Sequence, residues 1–194
     1  MKNILVALLL FGTYEFAAAA ENCKTSDGVA TPGGRLTTKS CVDEHGRPTR
    51  KSIALDGVTL LEDSALYGDL AIDKSRTHWV YQSDPDAVTN CTGRVYMVDV
   101  SAKPAAVFAF GVKNTCNQFS WASWSKSGGV IVLKENVKFQ YKAGRLIPPP
   151  ADDAFFQGVL PTPNAIKDGA VVADEITPFV VRLTKADQFL PKPK

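Results

Sequence analysis

The sequence predicts a mainly β protein: a single antiparallel β domain, arranged as a sandwich, a barrel or a propeller-like meander. Three observations support this prediction. About nine short runs rich in Val, Ile, Phe, Tyr and Trp follow one another up to residue 147, with turn residues between them. Four cysteines, an even number, predict disulfides in an exported chain. Beyond residue 147 the composition becomes rich in Pro, which marks a C-terminal appendage.

The first 20 residues have the layout of a secretory signal peptide. Lys2 supplies a positive charge, residues 4–12 are apolar, and Ala18 and Ala20 stand where a signal peptidase requires small residues. The apolar run is too short to span a membrane, which takes about 20 such residues. We therefore expect an exported mature chain, located in the periplasm or, as the alternative, outside the cell.

All four cysteines follow that segment, and local geometry favours two bridges. Residues 31–34 read "TPGG", which predicts a type II turn that brings Cys23 close to Cys41. A hairpin centred on residues 101–104 places Cys91 two residues short of a position opposite Cys116. We expect Cys23–Cys41 and Cys91–Cys116 bridges, with a crossed pairing as the alternative.

Turn signals predict a series of hairpins. Asp56-Gly57 joins two short strands in residues 52–61. The "SAKP" linker joins β-prone runs at 93–100 and 105–112, in a register that sets Val100 opposite Ala105. Further strands are predicted at 68–73, 77–83, 119–124, 128–134, 136–141 and 143–147.

The region 148–194 is predicted to be an appendage packed on the β domain of residues 21–147. It opens on "PPP" and contains "LPTPN". Residues 151–160 are predicted to form a short helix after the prolines, and residues 165–176 to hold another helical turn. Residues 178–186 are predicted to form a final strand.

Composition argues against several classes of function. A net charge of +2 without clustered Lys and Arg does not favour nucleic-acid binding. The chain lacks G-x-S-x-G and C-x-x-C, so neither a serine hydrolase elbow nor a zinc site is indicated. Asp84, Asp86 and Asn90 offer oxygen ligands, but the glycine and glutamate of a calcium loop are missing. We expect no metal and no cofactor.

The two histidines are the candidates for a catalytic role. His45 lies in the polar turn "DEHGRP", and His78 lies beside Trp79 in a predicted strand. A hydrolase would need His78 to meet a carboxylate from another element, which sequence cannot show.

Aromatic side chains provide the candidate contact surface. Trp79 and Tyr81 share one strand face, and strict alternation puts Phe119 with Trp121 on one face and Trp124 on the other. An exposed Trp is a frequent anchor in protein and glycan contacts. The loops at 84–90 and 113–118 are further candidates. The predicted binding residues are Trp79, Tyr81, Asp84, Asp86, Trp121 and Trp124.

One order of motifs resembles a known type of domain. An "LDG" hairpin is followed by Cys91, Tyr96 and Asp99 in the pattern C-x4-Y-x2-D, then by "FG" and Cys116. This resembles small exported bacterial all-β domains of unknown function, over about half of the chain. The resemblance agrees with the fold and with a Cys91–Cys116 bridge, and it implies no activity.

The expected function is therefore non-enzymatic binding of another envelope or secreted protein, as an inhibitor or immunity protein that occludes its partner's cleft. This expectation rests on fold and compartment by analogy. The alternatives are an envelope hydrolase that uses His78 with a carboxylate, and a carbohydrate-binding module that uses Trp79, Trp121 or Trp124. Sequence does not fix the oligomeric state.

Overall fold

The computed structural model describes residues 21–83, 94–150, 166–167, 170–171 and 176–184. Strands and turns dominate these residues, together with a 3-10 turn at Lys134–Asn136, so the mainly β prediction is confirmed. The strands are β1 (Asn22–Thr25), β2 (Val29–Thr31), β3 (Gly34–Val42), β4 (Pro48–Leu55), β5 (Val58–Asp63), β6 (Leu66–Ala71), β7 (His78–Ser83), β8 (Arg94–Asp99), β9 (Ala106–Val112), β10 (Phe119–Ser125), β11 (Gly128–Leu133), β12 (Lys138–Lys142), β13 (Arg145–Ile147), β14 (Ile166–Lys167), β15 (Ala170–Val171) and β16 (Pro178–Leu183).

The strands form three antiparallel sheets and one small hairpin. The first sheet has the order β1-β3-β4-β5, with β2 also paired to β3. The central sheet has the order β16-β9-β8-β7-β6, and the third has the order β10-β11-β12-β13. Strands β14 and β15 pair with each other.

The inner strands β7, β8 and β9 of the central sheet are buried on both faces, which makes the fold a three-layer stack. Met97 and Phe110 belong to one hydrophobic cluster together with Phe139 of the third sheet, and the two phenyl rings lie 5.0 Å apart. Val98 belongs to the other cluster, together with Ile53 of the first sheet. Because successive strand residues face opposite layers, β8 and β9 read as continuous apolar runs instead of alternating ones.

The predicted hairpin registers are confirmed where the structure describes them. Asp56 and Gly57 both adopt positive φ, 48° and 81°, as a two-residue turn between β4 and β5 requires. Asp99 pairs with Ala106 across β8 and β9, which is the register that the "SAKP" linker predicted.

The N-terminal bridge is also confirmed. Strands β2 and β3 fold back at Pro32-Gly33, and Cys23 pairs with Cys41 across β1 and β3 in a disulfide. Cys116 is disulfide-bonded as well. Its expected partner, Cys91, lies outside the described residues.

The C-terminal region departs from the prediction in part. Residues 165–176 were predicted to hold a helical turn, which is wrong for their described part: Ile166 pairs with Val171 in a β hairpin. The helix predicted at 151–160 and the signal segment 1–20 lie outside the described residues. Strand β16 pairs with β9 as an edge strand of the central sheet. None of the helical residues that the structure describes forms a helix long and apolar enough for a membrane crossing.

Candidate functional site

A bulge in β10 decides which aromatic side chains reach the surface. Phe119 pairs with Leu133 and Trp121 with Val132, so Ser120 is an extra residue that reverses the alternation. The prediction that Phe119 and Trp121 share a face is therefore wrong. Phe119 packs against the core, whereas Trp121 faces outward with 47% of its surface exposed.

The outward surface of the third sheet, which we call the Trp121 face, combines apolar and basic side chains. Pairing defines three rows across the strands, about 7 Å apart along them. The rows are Trp121–Val132–Lys138, in which Val132 is itself buried, then Ser123–Val130–Gln140–Ile147, then the pairs Ser125–Gly128 and Lys142–Arg145 at the end with the turns.

Positive charge gathers at one end of this face. Lys142 and Arg145 flank the two-residue turn between β12 and β13, and they are directly opposite each other in the register. Lys126 lies in the turn between β10 and β11, at the same end of the sheet. All three side chains are exposed.

The inward side of the same sheet covers a buried polar cluster centred on His78. Asp73 holds the backbone next to the imidazole, because its carboxylate accepts hydrogen bonds from the backbone N–H of Thr77 (2.9 Å) and of His78 (2.7 Å). The Thr77 hydroxyl lies 2.8 Å from the second oxygen of Asp73 and 2.8 Å from His78 Nδ1. The imidazole is thus fixed by a five-residue loop.

The opposite edge of the imidazole faces a carboxylate from another strand. His78 Nε2 lies 3.6 Å from Asp99 Oδ1 and has no hydrogen-bond partner among the described residues. Asp99 accepts hydrogen bonds from the backbone N–H and hydroxyl of Ser101 and from the Tyr141 hydroxyl. Burial raises the pKa of Tyr141, and its bond to Asp99 acts in the same direction.

Trp124 closes the cluster from the third sheet. Its ring centroid lies 4.3 Å from that of His78 and 5.5 Å from that of Tyr141. A glycine is required beneath the indole, since a Cβ on Gly129 would come within 2.1 Å of the Trp124 ring. Position 129 therefore lets Trp124 pack flat across the neighbouring strand.

The hydrogen bonds assign the proton positions in the neutral cluster. The Thr77 hydroxyl donates to Asp73, so His78 Nδ1–H donates to Thr77 and Nε2 carries a lone pair towards Asp99. Burial lowers the pKa of His78, although Asp99 and Asp73 act in the opposite direction. Only 7% of the imidazole is exposed, and 3% of the Asp99 side chain. Trp124 and Tyr141 cover the imidazole, with ring centroids 4.3 and 4.9 Å from that of His78.

The residues predicted to bind are not gathered in one place. Trp79 and Tyr81 are buried in the core between the first and central sheets, where the Tyr81 hydroxyl donates to Asp69. Burial, followed by the Asp69 charge, raises the pKa of Tyr81. Trp121 is exposed, Trp124 belongs to the His78 cluster, and the two predicted aspartates at 84 and 86 lie outside the described residues.

Sequence reasoning missed several residues of the buried His78 cluster and of the Trp121 face. Asp99 carried a usable signal, because a carboxylate ending the apolar run "VYMVD" has to be paired if the strand is buried. Tyr141 carried no such signal, since it is 42 residues from Asp99 and joins it only through the stacking of sheets. Lys142 and Arg145 were not singled out because their turn is unremarkable in sequence.

Among the described residues, the cluster that offers three potential metal ligands is Glu21, Cys23 and Cys41. Both sulfur atoms belong to the disulfide, so this group is not a metal site.

Comparison with known proteins adds no relative: the chain matches no family model, no curated protein and no solved structure.

Proposed function

We propose that this chain is an exported, non-enzymatic protein-binding domain that uses the Trp121 face to occlude a partner, as an inhibitor or immunity protein does. The observation that carries the proposal is the outward, 47% exposed indole of Trp121. Trp is the side chain most enriched at interface hot spots, where it fills a pocket of the partner.

The construction behind Trp121 supports this proposal. Phe119 and Trp124 anchor β10 on the core from either side of Trp121. The backbone is thereby fixed before any partner arrives, so binding would cost little ordering of the chain. An exposed indole on a rigid sheet is better suited to recognition than one on a loop.

The compartment is supported by independent features. The Cys23–Cys41 disulfide is typical of proteins in oxidising compartments, and the first 20 residues have signal-peptide layout. A partner in the envelope or the medium follows from that compartment.

The test is recovery of a partner from envelope and secreted fractions with immobilised mature protein. Trp121→Ala is compared with Leu70→Ala, which removes another exposed apolar side chain (48%) from the central sheet. We expect one stoichiometric partner, bound by wild type and Leu70→Ala and lost with Trp121→Ala. Equal recovery with all three proteins would contradict the proposed face.

A second candidate is hydrolysis with His78 and a carboxylate. The observation that favours it is the position of His78 between Asp73 and Asp99, at 3.5 and 3.6 Å. General-base catalysis needs a base within hydrogen-bond reach of substrate, so Trp124 would have to move aside. Activity on envelope substrates that His78→Gln abolishes would establish this candidate in place of binding.

The glycan alternative receives less support. Trp79 is buried and Trp124 is packed on His78, which leaves Trp121 as the exposed indole among the three tryptophans of the chain. A sugar-binding platform usually offers several exposed rings, and among the tryptophans, all of which the structure describes, one indole is exposed.

A further inference from the structure

We propose that the Trp121 face binds an acidic protein segment that carries an apolar side chain. This inference rests on the proposed function, which it deepens by naming the chemistry of the partner. Three observations lead to it: the charge distribution of the chain, a like-charge pair at the edge of the face, and the dimensions of the face.

The charge of the molecule is unevenly distributed. Residues 119–147 contain five Lys or Arg and one Glu, in a chain whose total charge is +2, so the remaining residues sum to a negative charge. The acidic residue of this stretch, Glu135, lies in the 3-10 turn. That turn is at the opposite end of the sheet from Lys142 and Arg145. The third sheet is therefore the basic region, and a negatively charged partner complements it.

The pairing of Lys142 with Arg145 has a cost for the isolated domain. Like charges directly opposite each other on one face of an antiparallel pair destabilise it. Lys126 adds a third cation at the same end. Carboxylates of a bound partner would offset this repulsion, and an Arg can bind a carboxylate in bidentate fashion.

The apolar part of the face completes the match. Trp121 and Ile147 are exposed by 47% and 43%, in the first and second rows. Four strands with three rows cover about 14 by 14 Å, which suits an extended segment of about five residues. The indole is therefore about 14 Å from the Lys142–Arg145 row, four residues along the strand.

A protein segment fits this face better than a membrane surface does. Interfacial membrane binding requires apolar side chains that project beyond the charges into the acyl region. Here Trp121 and the basic side chains project from the same face of one sheet. Trp and Arg, both present on this face, are also among the side chains most enriched at protein hot spots.

The experiment is selection from a displayed library of random 12-residue peptides on immobilised mature protein. The charge variant is Lys142→Glu/Arg145→Glu, and its matched control is Lys39→Glu/Lys74→Glu, which changes net charge equally at exposed positions of other elements. Trp121→Ala is the third variant. Anionic phosphatidylglycerol vesicles are tested alongside.

We expect wild type and the control to enrich peptides with net negative charge and an apolar residue, about tenfold over neutral peptides at low salt. The charge variant should lose the acidic preference, and Trp121→Ala the apolar one. Enrichment of neutral or basic peptides that still depends on Trp121 would overturn the acidic partner and leave the binding face intact. An equal loss in the control pair, or preferential binding of vesicles, would also overturn it. Failure to enrich any peptide would count against both proposals.

Discussion

Trp121 and Trp124 are three residues apart on one strand, and they have opposite surroundings. Trp124 lies over Gly129 and packs on His78 and Tyr141, inside a cluster whose polar atoms are largely satisfied. Trp121 faces outward, in the same row across the sheet as Lys138. Alternation along β10 puts the two side chains on opposite faces, and the extra residue Ser120 decides that Trp121 is the one facing outward. A single bulge thus sets which indole holds the sheets together and which is available to a partner.

The largest expected change in stability comes from a substitution in the buried His78 cluster. Asp99→Ala would leave the hydroxyls of Tyr141 and Ser101 without their common acceptor. Loss of one member of a buried charged network costs about 3 kcal/mol, and we expect this reduction in the free energy of unfolding by urea denaturation. Asp56→Ala is not a suitable control because it alters a turn. Lys126→Ala, in an exposed turn, should change stability by less than about 0.5 kcal/mol. A similar small change for Asp99→Ala would contradict the account of the cluster.

The second prediction tests the contact between the Trp124 ring and Gly129. Gly129→Val places side-chain atoms where the indole lies, so the ring has to leave His78. Overpacking of this kind costs about 2 kcal/mol. In the double variant Gly129→Val/Trp124→Ala the clash is absent, so the two substitutions should be strongly non-additive in urea denaturation. Additive effects would show that the two positions are not in contact.

The pH dependence of stability follows from His78. Its pKa in the folded protein is lowered by burial, whereas an unfolded chain has a histidine pKa near 6.5. The unfolded state therefore takes up the proton first, so the contribution of neutral His78 is complete above about pH 6.5 and is lost as pH falls from there towards the folded pKa. The slope contributed by one proton is at most about 1.4 kcal/mol per pH unit.

His78→Gln should remove this component of the slope between pH 7 and 5, although it also lowers overall stability. His45→Gln in the exposed turn is the matched control. The measurement is urea denaturation at several pH values. An unchanged slope in His78→Gln would contradict the assignment of a neutral, buried imidazole.

The smallest expected change in stability concerns the exposed Lys142–Arg145 pair on the Trp121 face. Arg145→Glu converts the Lys142–Arg145 repulsion into an attraction and should raise the free energy of unfolding by about 0.5 kcal/mol, less at high salt. The same change should weaken binding of the acidic partner. Thermal unfolding at low and high salt measures the first effect. A loss of stability at low salt would mean that the pair is already neutralised within the chain.

Local signals in the sequence predicted the hairpins well. The Asp56-Gly57 turn and the "SAKP" linker fix register through backbone geometry near the turn, so their pairings follow from a few residues. The same holds for Cys23 and Cys41. The bulge at Ser120 carried no comparable signal, because it depends on how β10 meets β11 and the core beneath them.

The layering and the buried cluster depend on contacts between distant parts of the chain. Asp73 stands near His78 in sequence, and its turn bonds are local. Asp99 meets His78 across the β7–β8 pair of the central sheet, whereas Tyr141 reaches His78 only when the central and third sheets are stacked. Alternation alone therefore placed Trp121 on the face of Phe119, which the bulge makes wrong, although it rightly put Trp121 and Trp124 on opposite faces.

Site-specific photo-crosslinking tests the central claim most directly. A photoreactive amino acid is placed at position 121 or 140 on the Trp121 face, or at position 70 on the central sheet, and irradiated in cells that export the protein. The account predicts a crosslink to the same partner from positions 121 and 140 and none from position 70. A crosslink from position 70 alone, or no crosslink from the Trp121 face, would contradict it.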